Sequence, residues 1–377
     1  MALTIGVVKE IAPGETRVAV VPEVLKKLLA AGMQVSIQSG AGVTARIPDA
    51  DYDGAELAPD AQSVLASADI LLKVQPPTTD EVAAMKPGSL VVGFMQPYRQ
   101  HDMIRALCDR KITSLAMELV PRISRAQSMD ALSSQAAVAG YKAVLIGASA
   151  LDKFMPMLTT AAGTIRPAQA LVIGAGVAGL QAIATARRLG AIVEGFDVRS
   201  ATKEQVESLG AKFIDTGVSA EGEGGYAREL TDEERAQQQA ALEEHIVKAD
   251  LVITTAAVPG RPAPKIIDRA TVERMKPGAV IVDLGAESGG NCELTEAGKT
   301  IEHDSVVIVG PVNLPATVSR NASEMYARNL FNLLQPALAD GQLNIDWEDE
   351  VFAGTVLTRD GQVCHEATRE AMQGGAS

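Results

Sequence analysis

The residues most able to do chemistry begin at Gly174-Ala175-Gly176-Val177-Ala178-Gly179, set between the apolar run ALVI and the helical segment LQAIATARRLG. The first glycine permits a tight turn, the second lets a pyrophosphate approach the backbone, and the third lets helix and strand pack closely. The helix start adds unpaired N–H groups and a partial positive charge, a ready site for a phosphate. Such a glycine pattern alone is a weak signal. Here Asp197 closes the next apolar run, 18 residues after Gly179, where a carboxylate can accept hydrogen bonds from both ribose hydroxyls. The bland alternative, glycines for packing and a solvated strand-end aspartate, explains less of the pattern. A carboxylate there would repel a 2′-phosphate, so NAD(H) is expected rather than NADP(H). Arg199 pulls the other way, since an arginine can accommodate that phosphate, but Asp197 holds the strand-end position.

A second concentration of polar groups runs from Pro121 to Gln135 (PRISRAQSMDALSSQ), between the apolar run ITSLA and an Ala-rich stretch. It reads either as a binding loop at the carboxyl end of a sheet or as an ordinary loop in which Asp130 or Ser133 caps the next helix. The segment Gly217 to Arg235, glycine-rich and charged around Tyr226, reads as a lid over a cleft or as a solvated excursion. His101, His245, His303 and His365 form no ligand spacing, and Cys108, Cys292 and Cys364 have no CxxC pattern. Neither a metal nor a disulfide framework is expected.

The elements that must position these residues are two successive sets of Val/Ile/Leu-rich runs alternating with helical patterns. The first covers 3–8, 34–38, 69–74, 89–94 and 112–116, and the second 170–175, 191–197, 211–215, 250–256, 279–285 and 305–310. Runs without strict alternation imply parallel sheets covered on both faces. Long helices are expected over Ser134–Met157 and Ala322–Leu334, with the tail returning to the first domain. The predicted fold is α/β: two doubly wound, Rossmann-like parallel-sheet domains joined by two long helices. The domains are residues 1–133 with 336–377 and residues 134–335, with a nucleotide cleft between the sheets.

At 377 residues the chain exceeds one core. Its 47% hydrophobic content is ordinary, and 34 basic against 47 acidic residues, a net charge of −13, disfavours nucleic acid or an anionic membrane as the main partner. The N-terminus reaches charge by Lys9 and Glu10, so no secretory signal is expected. The uncharged stretch from Pro167 to Ala186 reads as strand, turn and helix rather than a membrane span.

The pieces KEIAPGETRVAVVPE, ELVPRISRAQSMDALSSQAAVAGYKAV, GAGVAGLQAIATARRLGA, DVRSATKEQVESLGAKF, GGYA and KPGAVIVDLGAESGGNCELTE carry a resemblance over the whole chain. It resembles the NAD(H)-binding domain of proton-translocating nicotinamide nucleotide transhydrogenases, within the alanine dehydrogenase/transhydrogenase family, and RISRAQSMDALSSQ is the most discriminating piece. The resemblance implies that Arg122, Gln127, Asp130 and Ser133, with Ser128 and Met129 beside them, meet the nicotinamide end, Gln127 being central. It implies that Gly174, Gly176, Val177 and Gly179 hold the pyrophosphate, and Asp197, Val198 and Arg199 the adenosine ribose. Gly225 and Tyr226 would belong to a mobile loop, and Gln238 and Ala257 are further cofactor contacts. The family reading is a homodimer, cytoplasmic and peripheral on the inner membrane. It docks on an NADP(H)-binding domain attached to membrane-spanning, proton-moving subunits.

Alanine dehydrogenases share the architecture and are the rival reading. Arg17 and Lys73 match their keto-acid residues, but the position of their histidine is Gln96 and that of an aspartate is Glu287. An amino-acid dehydrogenase must move protons, so the missing histidine counts against it, and Arg17 and Lys73 are expected to be structural, paired with Glu287. Hydride transfer between nicotinamide rings needs positioning rather than an acid or base. A third class, a non-catalytic NAD sensor, would bind the nucleotide without exchanging hydride.

Overall fold

The computed structural model describes residues 2–218, 230–256 and 260–374. The chain divides into two units, residues 1–135 with 316–377 and residues 136–315. In the first, six parallel strands lie in the order Glu56–Ala58, Gln34–Gln38, Thr4–Val7, Ile70–Leu72, Leu90–Gly93, Thr113–Ala116. Two antiparallel strands from the far end of the chain, Val356–Arg359 and Gln362–Val363, extend the edge. In the second unit the order is Lys212–Phe213, Ile192–Phe196, Gln169–Ile173, Leu251–Thr254, Val280–Asp283, Val306–Val309, all parallel, closed by antiparallel Thr300–His303. The central strands are wholly buried, as in Ile70–Leu72 and Leu251–Thr254, which is why they read as unbroken apolar runs.

Both sheets are doubly wound, and each has one point where strand order reverses. These lie between Thr4–Val7 and Ile70–Leu72 and between Gln169–Ile173 and Leu251–Thr254. Ligands of open α/β sheets bind outside the carboxyl ends of strands at such a point. Every run expected as a strand is one, to within two residues at most ends.

Several expectations change. The helix expected to reach Met157 spans Ala131–Ala150. Beyond it the chain forms an exposed hairpin, Leu158–Thr160 with Gly163–Ile165, because Pro156 cannot donate a helical N–H. The helix Ser319–Leu334 groups with the first unit rather than with residues 134–335. Its buried face, including Tyr326, Leu330, Leu333 and Leu334, lies in a core shared with Val18, Val20, Leu25 and Leu28, and burial of that face decides the division. Among the described residues, no helix is long and apolar enough to cross a membrane.

Candidate functional site

In the second unit Gly174 takes φ 99°, a conformation that favours glycine, and turns the chain out of Gln169–Ile173 into the helix Val177–Arg188. A Cβ on Gly179 would sit 1.7 Å from Gly174 O, and one on Gly140 would sit 2.0 Å from Ala178 O. Both glycines therefore let helices press on the turn. Gly176 differs: a Cβ there would meet nothing within 4 Å. Its missing side chain serves approach from outside, and Gly176 caps the helix without any side-chain hydrogen bond to the helix N–H groups. Those N–H groups and the open face of Gly176 suit a pyrophosphate.

Asp197 follows the strand Ile192–Phe196 and is almost fully buried. Its Oδ2 accepts from Ala175 N at 2.7 Å and from Arg199 Nη2 at 2.7 Å. Its Oδ1 accepts from Arg199 N at 2.9 Å and Nε at 2.8 Å. The carboxylate thus ties the glycine turn to the next strand, and Asp197 raises the pKa of Arg199 by its hydrogen bonds and charge. Four acceptances fill a carboxylate's lone-pair sites, so a ribose hydroxyl that bonds Asp197 must share or displace the guanidinium. Beside Asp197 lies a cavity of about 240 Å³ walled by Phe213, Ile214 and Val218, with Ser200, Lys203 and Thr216 at its polar side. Val198 is partly buried against the neighbouring core. Gln238 is 6% exposed, on the helix Asp232–Lys248, and its Oε1 is buried without a hydrogen-bond partner among the described residues. Gly225, Tyr226 and Ala257 lie outside the described residues.

In the first unit the segment after Thr113–Ala116 forms a 3₁₀ turn, Ser124–Met129. Arg122, Gln127 and Ser128 are exposed and Met129 is buried. Asp130 is the helix cap: its Oδ1 accepts from Ser133 N at 2.9 Å, and Oδ2 accepts from Ser133 Oγ. The capped-loop reading thus holds for Asp130 and Ser133, while Gln127 presents its amide outward from a rigid turn.

The switch point of the first unit carries a buried ionic cluster. Arg17 donates to Glu15 through Nε at 2.8 Å and Nη2 at 2.6 Å, and through Nη1 to Gln135 Oε1 at 2.8 Å. Burial alone would raise the Glu15 carboxyl, but the bonds and charge of Arg17, with Gln75, bring it down to about 2. Lys73 Nζ lies 2.8 Å from Glu81 and 3.6 Å from Glu10, and burial holds the Glu10 carboxyl above its usual range. The expected pairing with Glu287 is thus corrected. Nearer carboxylates of the same unit take both cations, and Glu287 accepts from Asn313 N. Gln96, at φ 48°, donates from Nε2 to Gln75 Oε1 at 3.2 Å.

Sequence reasoning missed Thr255, whose Oγ1 donates to Gly174 O at 3.0 Å, and the asparagines Asn329 and Asn332. It also missed Asp283, which sits at a strand end like Asp197 yet is wholly buried. Asp283 accepts from Thr254 Oγ1, Gly285 N, Asn291 N, Cys292 N and Thr295 Oγ1. Glu273, His303 and Asp304 place ligand-type atoms within 4.8 Å of one another, but the cluster is exposed and Arg269 Nη1 stands 3.5 Å from His303 Nε2. It is a surface ion-pair group.

Two doubly wound units, one bearing a glycine-rich turn tied to a strand-end aspartate, define an α/β protein of the dinucleotide-binding type. The chain belongs to the alanine dehydrogenase/PNT family, whose N-terminal domain matches residues 6–139 and whose C-terminal domain matches residues 143–366. It is 49% identical over 378 residues to an NAD(P) transhydrogenase subunit alpha of Rhodospirillum rubrum, covering 97% of this chain and 98% of that one. The solved structure of a transhydrogenase from Sinorhizobium meliloti is 47% identical and superposes with a TM-score of 0.87, covering 96% of this chain and 99% of that one. An L-alanine dehydrogenase structure is more distant, 26% identical at a TM-score of 0.81, over 99% of this chain and 100% of that one.

Proposed function

We propose that the chain is the NAD(H)-binding subunit of a proton-translocating transhydrogenase. It presents bound NADH for hydride transfer to NADP⁺ held by a separate partner domain, coupled to proton movement through membrane-spanning subunits. The observation that carries the reading is the glycine turn with Gly176 open to the outside, an uncapped helix start and Asp197 at the strand end, in a chain similar over nearly its whole length to such subunits. The nucleotide supplies the hydride. The chain's residues bind and orient it: Gly174, Gly176, Val177 and Gly179 at the pyrophosphate, Asp197 with Val198 and Arg199 at the ribose, and Gln238 and Ala257 as further contacts. Arg122, Gln127, Ser128, Met129, Asp130 and Ser133 would meet the nicotinamide end, and Gly225 with Tyr226 would close over it. No acid or base is required, because hydride transfer needs the two carbons held about 3 to 3.5 Å apart with water excluded.

The rival alanine dehydrogenase reading is weakened by the same structure. Arg17 and Lys73 are spent on Glu15, Glu81 and Glu10, and Gln96 stands in a chain of amide hydrogen bonds. Mixing the purified chain with an NADP(H)-binding partner domain tests the proposal by NADH-dependent reduction of an NADP⁺ analogue. No rate above background with a competent partner refutes it, and steady NADH oxidation with pyruvate and ammonia by the chain alone establishes the rival.

The active form in this reading is a homodimer, held peripherally at the cytoplasmic face of the inner membrane by its partners. Phe154, Met157, Leu158, Ile165 and Ile192 are exposed around the hairpin, and a groove of about 750 Å³ lined by Leu145, Met155 and Leu189 lies alongside. A patch of this kind marks an interaction surface. Replacing Met157 and Ile165 by Glu is expected to yield monomers in sedimentation equilibrium, and an unchanged mass would refute the assigned face.

A further inference from the structure

We infer that Asn329 and Asn332 are positioning residues for hydride transfer, the end of a hydrogen-bond relay that fixes the turn carrying Gln127. The inference rests on the reading above that Gln127 orders the nicotinamide. Both side-chain amides, one helical turn apart on Ser319–Leu334, donate to one carbonyl, Ser128 O, at 2.9 Å and 3.0 Å. They fill both of its lone pairs and pin the peptide plane immediately after Gln127.

The orientation of the Asn329 amide is itself set. Its Oδ1 accepts from Ser134 Oγ at 2.6 Å, Ser134 Oγ accepts from Gln135 Nε2 at 3.2 Å, and Gln135 Oε1 accepts from Arg17 Nη1 at 2.8 Å. Arg17 is clamped by Glu15, which accepts from Gln75 Nε2 at 2.7 Å, and Gln75 Oε1 accepts from Gln96 Nε2. An unbroken set of polar side chains thus runs from the switch point of the first sheet to the turn at Ser124–Met129. It has directed donors and acceptors at each step, so an amide flip at Asn329 would break two bonds at once. Arg125 adds a surface brace, donating to both carboxylate oxygens of Asp349 at 2.9 Å.

Arg17, whose counterpart in the rival reading holds a keto acid, here anchors a scaffold. Gln127 is exposed and its turn is short, so nothing in the turn itself would hold the outward amide steady. The relay supplies that rigidity. Rates of transfer between two bound groups respond steeply to placement, about 10²-fold for 1 Å, so the relay is expected to act on transfer and not on nucleotide affinity.

The test uses the full chain with an NADP(H)-binding partner domain, both nucleotides saturating, and compares the single-turnover hydride-transfer rate, the NADH Kd and the urea midpoint. The variants are N332A, N329A/N332A and Q127N. The double variant is expected to transfer hydride roughly 10- to 100-fold more slowly, with NADH Kd within about threefold of the parent. Asn332 is half-buried and its removal keeps the Asn329 bond, so N332A should show a smaller loss in the same direction, and it carries the test if the double variant does not fold. A folded variant with the parental rate overturns the inference, as does a loss that appears in Kd or the midpoint and not in the saturated rate. If Q127N transfers at the parental rate, the reading of Gln127 itself fails. If Q127N is slow and the asparagine variants are not, the relay alone fails.

Discussion

Replacing Arg17 by Met keeps the length of the side chain and removes its charge, leaving the Glu15 carboxylate buried without its main partner. Glu15 is fully enclosed and held at about 2 against an ordinary value of 4.5. At roughly 1.4 kcal/mol per pKa unit, that difference corresponds to about 3 kcal/mol of stability, at the lower end of the roughly 3 to 5 kcal/mol expected when one partner of a buried ion pair is deleted. The folded-state value is depressed, so this contribution is present above the ordinary carboxylate pKa and lost as pH falls toward 2. In Arg17→Met it is missing at neutral pH. The lone carboxyl then feels mainly burial, which raises its pKa, so the deficit relative to the parent should shrink on acidification from pH 7 toward 4. The single tryptophan, Trp347, packs against the core of the first unit under the Arg359 guanidinium, so its fluorescence reports that unit's unfolding. With m-values of about 1 to 3 kcal/mol/M, the urea midpoint should fall by about 1 to 3 M. Adding Glu15→Gln should restore part of the loss, because the uncompensated charge is gone. A midpoint for Arg17→Met equal to the parent's, or a double variant that is worse by the full cost of each change, would refute the reasoning.

The glycines of the turn should separate by role. Gly176→Ala is expected to keep the parental melting temperature and lose NADH binding by tenfold or more, whereas Gly179→Ala should destabilise the second unit by on the order of 3 kcal/mol, read by calorimetry. Equal effects on folding would refute the division. Asp197→Asn should weaken NADH by roughly ten- to a hundredfold and narrow its preference over NADPH, measured by titration calorimetry. Unchanged selectivity would remove Asp197 as the ribose reader. Gln96→His is expected to remain inert toward pyruvate and ammonia, because Arg17 and Lys73 are still held by Glu15, Glu81 and Glu10. NADH turnover by that variant would show that the cluster can open to a keto acid.

Asp197 and Asp283 show where reading from the sequence stops. Each closes an apolar run at the carboxyl end of a strand, and local pattern treats them alike. Asp197 lies beside the glycine turn and a cavity, whereas Asp283 is enclosed by five donors from the loops around it. Glu287 failed as a partner for a related reason: charge complementarity names candidates, but proximity selects among them, and Glu15 stands two residues from Arg17.

The strands, the glycine turn, its following helix and the capped turn before Ala131 were legible because each follows from interactions among near neighbours in the chain. Burial on both faces dictates apolar runs, a left-handed φ calls for glycine at 174, and a cap lies three residues from the N–H it satisfies. The edge strand Val356–Arg359 and the allegiance of Ser319–Leu334 to the first unit were decided by packing. So were the bond from Arg17 to Gln135, 118 residues away, and those from Asn329 and Asn332 to Ser128, 201 and 204 residues away. Asparagine on a helix face or a carbonyl in a turn carries no local mark of its partner. Only the closing of the chain, which brings distant polar groups out of water together, requires each to find one.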